Sequence, residues 1–561
     1  MDVWNRHSAI ISKNTAISCD QAQATSIGLD ILKMGGNAAD AAVATFAAVS
    51  VIQPMSCGIG GDCQCLFYRR SDKTVSSLNG SGRTGKNATL EKVKALGVID
   101  SNEKEFSHHG LWVSVPGAVA GMCDVIKNFG SGKLTMSQIL GPAIALAQEG
   151  APVPYKTAIM WDRYQEVFRS SRHAKDVLQG DKPPLPGSLI FAPKLASCFK
   201  SIAAFGPKEF YEGNTASNIV NEVQHSGGVL TLEDMKKHLD ISSSTYPSDA
   251  VYINFNGFRI WEMKPNTTGI VALVALNVLR LFDLKALGHN SAEYIHIIAE
   301  VTKFSYLECW DYLCDPDYST KSLKTLLSDD TAKKLKNCIS TQRATGYSKI
   351  LSGGNTSYVA VVDEEGNGCS FIYSVSSNFG TGIIPKDCGF VLHDRAKCLS
   401  LDERSPNVYG PEKLPLHTII PGLVTDDATN DLIAVFGVIG RWMQPQGHVQ
   451  VLINMIIFGM DPQNALNQPR FFVGESKTLL TYKNTLNMLY LEEGINPSVI
   501  PVLQNYGHEV CDEFYSGPKR EIFGKGHVIA RPVLWIRNSS LTENIWWTGS
   551  DPRSDGCAMG Y

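Results

Sequence analysis

The stretch that most constrains this chain is residues 355–376, NTSYVAVVDEEGNGCSFIYSVS. TSYVAVV is apolar and β-branched, GCSFIYSVS is strand-like in the same way, and DEEGN between them is turn chemistry, so the segment reads as a β-hairpin. With the turn centred near Glu365, paired residue numbers add to about 730 and Thr356 faces Ser374 across the ladder. Directly opposed Cβ atoms lie about 4.5–5.5 Å apart, which brings a second hydroxyl within reach of Thr356. A register slip of one residue would undo that pairing. The preceding segment, Ser328 to Gly354, is polar and ends in Ser352-Gly353-Gly354, the pattern of an exposed linker.

The first half reads mainly as helix. ATSIGLDILKMGG places Ile27, Ile31, Leu32 and Met34 near helical spacing, with Gly35-Gly36 as the stop. AADAAVATFAAVSVI is apolar on nearly every face and must be buried. Turn-like stretches at 54–61 and 79–85 flank a strand, CLFYRR. Further helices are expected around 135–149, 215–224, 268–283 and 291–311. After the hairpin come a second one, GLVTDDATNDLIAVFGV, and an apolar helix around 446–459. Helices first and paired strands later predict helices packed on antiparallel sheets, an α+β fold.

The chain has 561 residues, 43% hydrophobic and 19% charged, with a formal net charge of -4. This composition is that of a soluble globular protein, and without a basic run it excludes the footprint of a nucleic-acid binder. No secretory leader or membrane-length apolar run is seen, which predicts a cytoplasmic protein with no membrane partner. The 14 cysteines show no Cys-x-x-Cys or zinc spacing, so reduced, mostly buried thiols are expected and no metal or cofactor is called for. A small molecule is the expected partner, with a homo-oligomer left open. From Gly80 the loop NGSGRTGK spells G-x-x-x-x-G-K, but Asn87 stands where a magnesium-binding Ser or Thr belongs. The loop therefore reads as a Gly-rich turn lining some other pocket.

Several segments together resemble the γ-glutamyltranspeptidase family of N-terminal-nucleophile hydrolases over nearly the whole chain. They are ILKMGGNAADAAVA (31–44), GIGGDCQCLFY (58–68), VSVPGAVAGM (113–122), LGHNSAEYIH (287–296), NTSYVAVVDEEGNGCS (355–370), FGTGIIPKDCGF (379–390) and SDPRSDG (550–556). The resemblance implies self-cleavage between Asn355 and Thr356 into a helix-rich large subunit, 1–355, and a strand-rich catalytic small one, 356–561. The two would stay associated in one intertwined αββα four-layer sandwich. It implies Thr356 as nucleophile, its freed α-amine serving as base, in an amidohydrolase or acyltransferase (glutathione hydrolase-like) acting on γ-glutamyl compounds or another small anionic amide through an acyl-enzyme. That amine has a reference pKa of about 7.7–8.0, close to physiological pH.

The resemblance also fixes where this chain departs. The family's carboxylate-gripping arginine falls at Ser81, with Arg83 two residues away. Its supporting threonine falls at Ser374, and the asparagine two residues later at Ser376. Its acidic pair falls near Arg395 and at Cys398, and its serine pair becomes His417-Thr418. These changes remove much of the clamp for a γ-glutamyl zwitterion, enough to redirect specificity. Arg83, Arg395 and His417 could instead bind an anionic acyl group, as in an oxamate-like amide. NGSGR (79–83), LPLHTIIPGLV (414–424) and MQPQGHVQVL (443–452) are similar to that oxamate amidohydrolase-like branch. Arg83 and Arg395 also fit structural ion pairs, and His417 fits a satisfied core histidine. In the oxyanion hole Gly440 remains, while Arg441 replaces a second glycine. If φ at 441 must be positive, the substitution strains the loop. An unprocessed family member acting as a binding protein is the reading from a different class.

Overall fold

In the computed structural model the described residues are 8–97, 108–169, 171–178, 182–242, 250–319, 321–346, 355–475, 486–536 and 545–561. Thirteen strands build two antiparallel sheets. In chain order they are β1 (Ile10–Ser12), β2 (Ala16–Cys19), β3 (Asp62–Arg69), β4 (Thr74–Gly80), β5 (Ala250–Phe255), β6 (Phe258–Met263), β7 (Asn355–Val362) and β8 (Gly368–Ser376). The remaining ones are β9 (Gly422–Asp426), β10 (Leu432–Ile439), β11 (Lys525–Ala530), β12 (Trp546–Ser550) and β13 (Cys557–Gly560). One sheet runs β1-β12-β11-β10-β9-β6-β5 and the other β13-β2-β7-β8-β3-β4. Each draws strands from both sides of residue 355.

Strand period decides what each face meets. Along β7, Tyr358, Ala360 and Val362 join Leu423, Leu432, Val435 and Ile529 of the other sheet in one apolar cluster. Val359 and Val361 point the opposite way, onto helices α1 (Ala22–Lys33) and α2 (Ala38–Ile52). All fifteen residues of α2 are buried, as its all-round apolar sequence requires, and a capping box between Asn37 and Asp40 starts it. The outer face of the first sheet, through Ile260, Val424, Ala434, Phe436 and Val528, packs on α3 (Gly269–Leu279), α4 (Ala292–Cys309) and α5 (Met443–Ile456).

The expected helices form at Met136–Glu149, Asn214–His225, Gly269–Leu279 and Ala292–Cys309. The linker reading of 328–354 does not hold for its first part. Asp329–Cys338 is a helix, capped by the Ser328 side chain and docked through buried Thr331, Ala332 and Leu335. Three inward residues among polar ones are too weak a stripe to see in sequence. Residues 347–354 lie outside the described ones. All fourteen cysteines are free thiols. Among the described residues no helix is long and apolar enough to cross a membrane.

Candidate active site

The 355–376 hairpin forms in the expected register. Gly368 pairs with Val362 and Tyr373 with Ser357, and the next pair is Ser376 with Asn355. One extra residue is therefore accommodated, so Ser374 and Val375 together oppose Thr356 in a β-bulge. Ser376 closes it with φ 73°, and its N–H donates to Ser374 Oγ at 2.9 Å. Thr356 lies on the same face of β7 as Tyr358, toward the other sheet, and is 1% exposed. Gln444, in the first turn of α5, donates from Nε2 to Thr356 Oγ1 at 3.3 Å.

On the other edge of β8, Ser374 pairs with Asp62. The Asp62 carboxylate gathers this end of the sheet. Its Oδ1 accepts from the N–H groups of Gly82 (3.2 Å) and Gly117 (3.1 Å). Its Oδ2 lies 3.0 Å from His417 Nε2, 3.3 Å from His393 Nδ1 and 4.0 Å from Arg395 Nε. Burial alone would push this carboxyl up, but the two imidazoles outweigh it and hold Asp62 well below the usual carboxylate range. His417 is pushed down to about 3, chiefly by burial and then by Arg395. It is therefore neutral at physiological pH and donates Nε2–H to Asp62.

Arg395 is fully buried. Its Nη2 donates to Ser374 Oγ at 3.3 Å and its Nη1 to Thr418 Oγ1 at 3.4 Å, with Cys398 Sγ at 3.7 Å. Two long bonds to neutral hydroxyls and a carboxylate at 4.0 Å leave a weakly compensated buried cation. Burial raises the Cys398 thiol, which therefore carries no charge to replace the acid expected there. A carboxylate does lie one residue from Arg395, but Asp394 is engaged by Lys397 at 3.1 Å and by the Ser377 N–H at 2.9 Å.

Arg83 does not join this group. Its guanidinium bonds Asp315 at 2.5 Å, Asp317 at 3.3 Å and the Glu412 carbonyl at 2.9 Å, the structural ion-pair alternative. Ser81 accepts from Gln64 Nε2 at 2.7 Å and Asn266 Nδ2 at 3.3 Å, and the Asn266 carbonyl in turn accepts from the His417 N–H at 2.8 Å. The Gly-rich loop around it is built for close approach, since a Cβ at Gly82 would stand 1.5 Å from the Val115 carbonyl oxygen. The Gly82 N–H serves the chain's own Asp62 rather than a phosphate. Arg441 has φ 57° and follows Gly440 at φ 132°, so the residue does occupy the strained left-handed region. Its side chain is exposed rather than turned into the interior.

One group could hold a metal by residue type. His296, Glu300 and His508 are buried and offer ligand atoms within 4.8 Å of one another. The cationic place is already taken: Lys303 Nζ lies 2.9 Å from Glu300 and 3.5 Å from His508 Nδ1, while His508 Nε2 meets His296 Nδ1 at 2.7 Å.

Asp62, His393 and Gln444 were absent from the sequence reading. Asp62 is visible there as the acid interrupting GIGGDC, and Gln444 as the first of three glutamines in MQPQGHVQVL. Nothing local connects either residue to Thr356.

Thr356 opposite a bulge, Ser374 within that bulge and the buried Arg395 bonded to Ser374 form the candidate site, carried on paired antiparallel sheets. The chain matches the family model Gamma-glutamyltranspeptidase over residues 24–561 and belongs to that family. It is 31% identical over 538 residues to the glutathione hydrolase-like YwrD proenzyme of Bacillus subtilis, covering 96% of each chain. It is 29% identical to the glutathione hydrolase proenzyme of Escherichia coli (91% and 90% covered). Identity to the oxamate amidohydrolase proenzyme of Klebsiella pneumoniae is 26% (99% and 100% covered). Among solved structures, cephalosporin acylase from Bacillus halodurans superposes with a TM-score of 0.84 at 31% identity, over 99% of this chain and 97% of that one.

Proposed function

We propose that the chain is a self-processing amidohydrolase in which Thr356 is the nucleophile, and that its acyl pocket takes an anionic group. The observation that carries this reading is the buried Arg395, whose Nη2 reaches Ser374 Oγ at 3.3 Å beside the bulge opposite Thr356. In processing, Thr356 Oγ1 attacks the Asn355 carbonyl carbon. The new C–O bond replaces the C–N bond, and the hydroxyl proton passes to the released amine. Water then cleaves the ester, leaving Asn355 with a carboxyl group and Thr356 with a free amine. That amine serves as base in turnover, where Oγ1 takes the acyl group of a small amide and water or an acceptor amine removes it. The backbone N–H groups of Gly440 and Arg441 are read, from the family resemblance, as the donors to the oxyanion. The three core clusters support reading the layers as helix, sheet, sheet, helix, with 1–355 and 356–561 as intertwined subunits.

Arg395 is proposed to hold an acyl carboxylate, with Thr418 and Ser374 orienting its fork. The Asp62 carboxylate already accepts from Gly82, Gly117 and His417, and Asp394 is paired with Lys397, so a substrate ammonium at either would share a carboxylate with partners already in place. A mono-amide of a short dicarboxylic acid fits that pattern, oxamate being its smallest case. Glutathione-type γ-glutamyl hydrolysis or transfer is the second reading, favoured by the glutathione hydrolase names of the relatives. The test compares γ-glutamyl anilide with glutaryl anilide and oxamate on processed protein. Saturation with the γ-glutamyl compound alone overturns the pocket argument, and absence of both processing and turnover overturns the enzyme reading.

A further inference from the structure

The nucleophile's oxygen meets an amide that no part of the reading above employs. Gln444 is fully buried, and its two polar ends are both engaged. The Ile420 N–H donates to Gln444 Oε1 at 3.2 Å, and Gln444 Nε2 lies 3.3 Å from Thr356 Oγ1. The first contact settles the second. A backbone N–H can only donate, so the atom it meets is the amide oxygen, and the end facing Thr356 is the NH2 group, which can only donate. The backbone is fixed as well, because Gln444 N–H donates to the Arg441 carbonyl at 3.3 Å in the first turn of α5. Thr356 Oγ1 is thus offered a donor held in place by two further bonds.

We infer that Gln444 is a catalytic residue of the Thr356 reaction, its Nε2–H stabilising negative charge on Oγ1 in both self-cleavage and turnover. This rests on Thr356 being the nucleophile. Charge builds on Oγ1 at two moments. As the hydroxyl gives up its proton and bonds the carbonyl carbon, the oxygen passes through alkoxide character. When water has added to the acyl-enzyme ester, the C–Oγ1 bond breaks, Oγ1 leaves with the electron pair, and it then takes up a proton. A fixed donor lowers both barriers, and burial strengthens the effect because no water competes. A charge-assisted hydrogen bond of this kind corresponds to about a 10–100-fold effect on rate.

Two variants separate this role from a packing role. Gln444→Met keeps the volume and removes the donor. Gln444→Glu keeps an acceptor for the Ile420 N–H but presents an acceptor to Thr356 at neutral pH. The readouts are the self-cleavage rate on a denaturing gel, and kcat and KM on the processed enzyme with glutaryl or γ-glutamyl anilide, whichever the wild type turns over. Expected are losses of about 10–100-fold in kcat and in cleavage rate for both variants at neutral pH, with KM within about threefold. For Gln444→Glu the ratio to wild type should rise as pH falls through the carboxyl's titration, since a protonated carboxyl regains an O–H donor. Wild-type kcat in Gln444→Met overturns the inference. So does a Gln444→Glu enzyme that is fully active at neutral pH, which would assign Gln444 to holding Ile420. If wild-type protein neither cuts itself nor turns over any amide, the Thr356 reading falls. If it does both and Gln444→Met equals it, only the role of Gln444 falls.

Discussion

Arg395 and Ser374 meet at 3.3 Å, side chain to side chain, at the bulge where Ser374 shares the place opposite Thr356. That contact joins β8, the strand paired with that of Thr356, to an arginine with no carboxylate closer than 4.0 Å among the described residues. It makes Arg395 and Arg83 behave differently under substitution. Arg395→Ala should raise KM for an anionic acyl amide by about 10–100-fold, the value of a lost charge-assisted bond, with a smaller change for a neutral acyl amide. Arg83→Ala should leave KM within about twofold. It should lower stability by about 2 kcal/mol, since buried Asp315 loses its cation. Steady-state kinetics and urea unfolding check both.

Processing should divide the 61.2 kDa chain at Thr356 into fragments of about 39 and 22 kDa. Thr356→Ala should remain one band near full length after prolonged incubation. Thr356→Ser should cut slowly, because a hydroxyl remains. N-terminal sequencing of the smaller band tests the junction, and any first residue other than Thr356 refutes it.

Arg441 sits at φ 57° with its side chain in solvent, so a glycine there would relieve left-handed strain and lose no buried contact. Arg441→Gly should stabilise the protein by about 1 kcal/mol in urea unfolding. If the strain also misaligns the turn, kcat rises with it. A loss of stability would show that the arginine makes a contact worth more than the strain.

Two buried histidines set the acid limit. His417 and His508 are each pushed down to about 3, mainly by burial, from an ordinary value near 6.5. Between those values the unfolded chain binds protons that the folded one refuses. Stability is therefore fully present above about pH 6.5 and is lost as pH falls toward 3, by up to about 1.4 kcal/mol per pH unit for each group. Urea midpoints from pH 7 to 4 should fall accordingly, and His417→Gln should flatten the slope.

The hairpin was legible because its signal is local: turn chemistry at 363–367 and strand period fix which residues face each other. Even the bulge left Ser374 near Thr356, since it adds its residue beyond the last regular pair, Tyr373 with Ser357. The arginines were not separable in sequence. What distinguishes them is that Asp315 reaches Arg83 across 232 positions, whereas the Asp62 carboxylate stops 4.0 Å short of Arg395. Asp62 and Gln444 escaped for the same reason, their partners being 355 and 88 residues away. The sequence does not specify the φ of Arg441, because the tightness of that turn comes from the Gly524 backbone, whose Cα would stand 2.8 Å from a Cβ at Gly440.

Each sheet combines strands from before and after residue 355, with β7 hydrogen-bonded to β2 and β9 to β6. A cut at that point would therefore sever the chain without parting it. Its thermodynamic consequence is a change of molecularity. The intact chain refolds by a unimolecular process, but a cut one, once denatured, must find its other half, and its recovery depends on dilution. For a chain that is cut there, folding would have to come first and cutting second, an order set by the mixing of strands within each sheet.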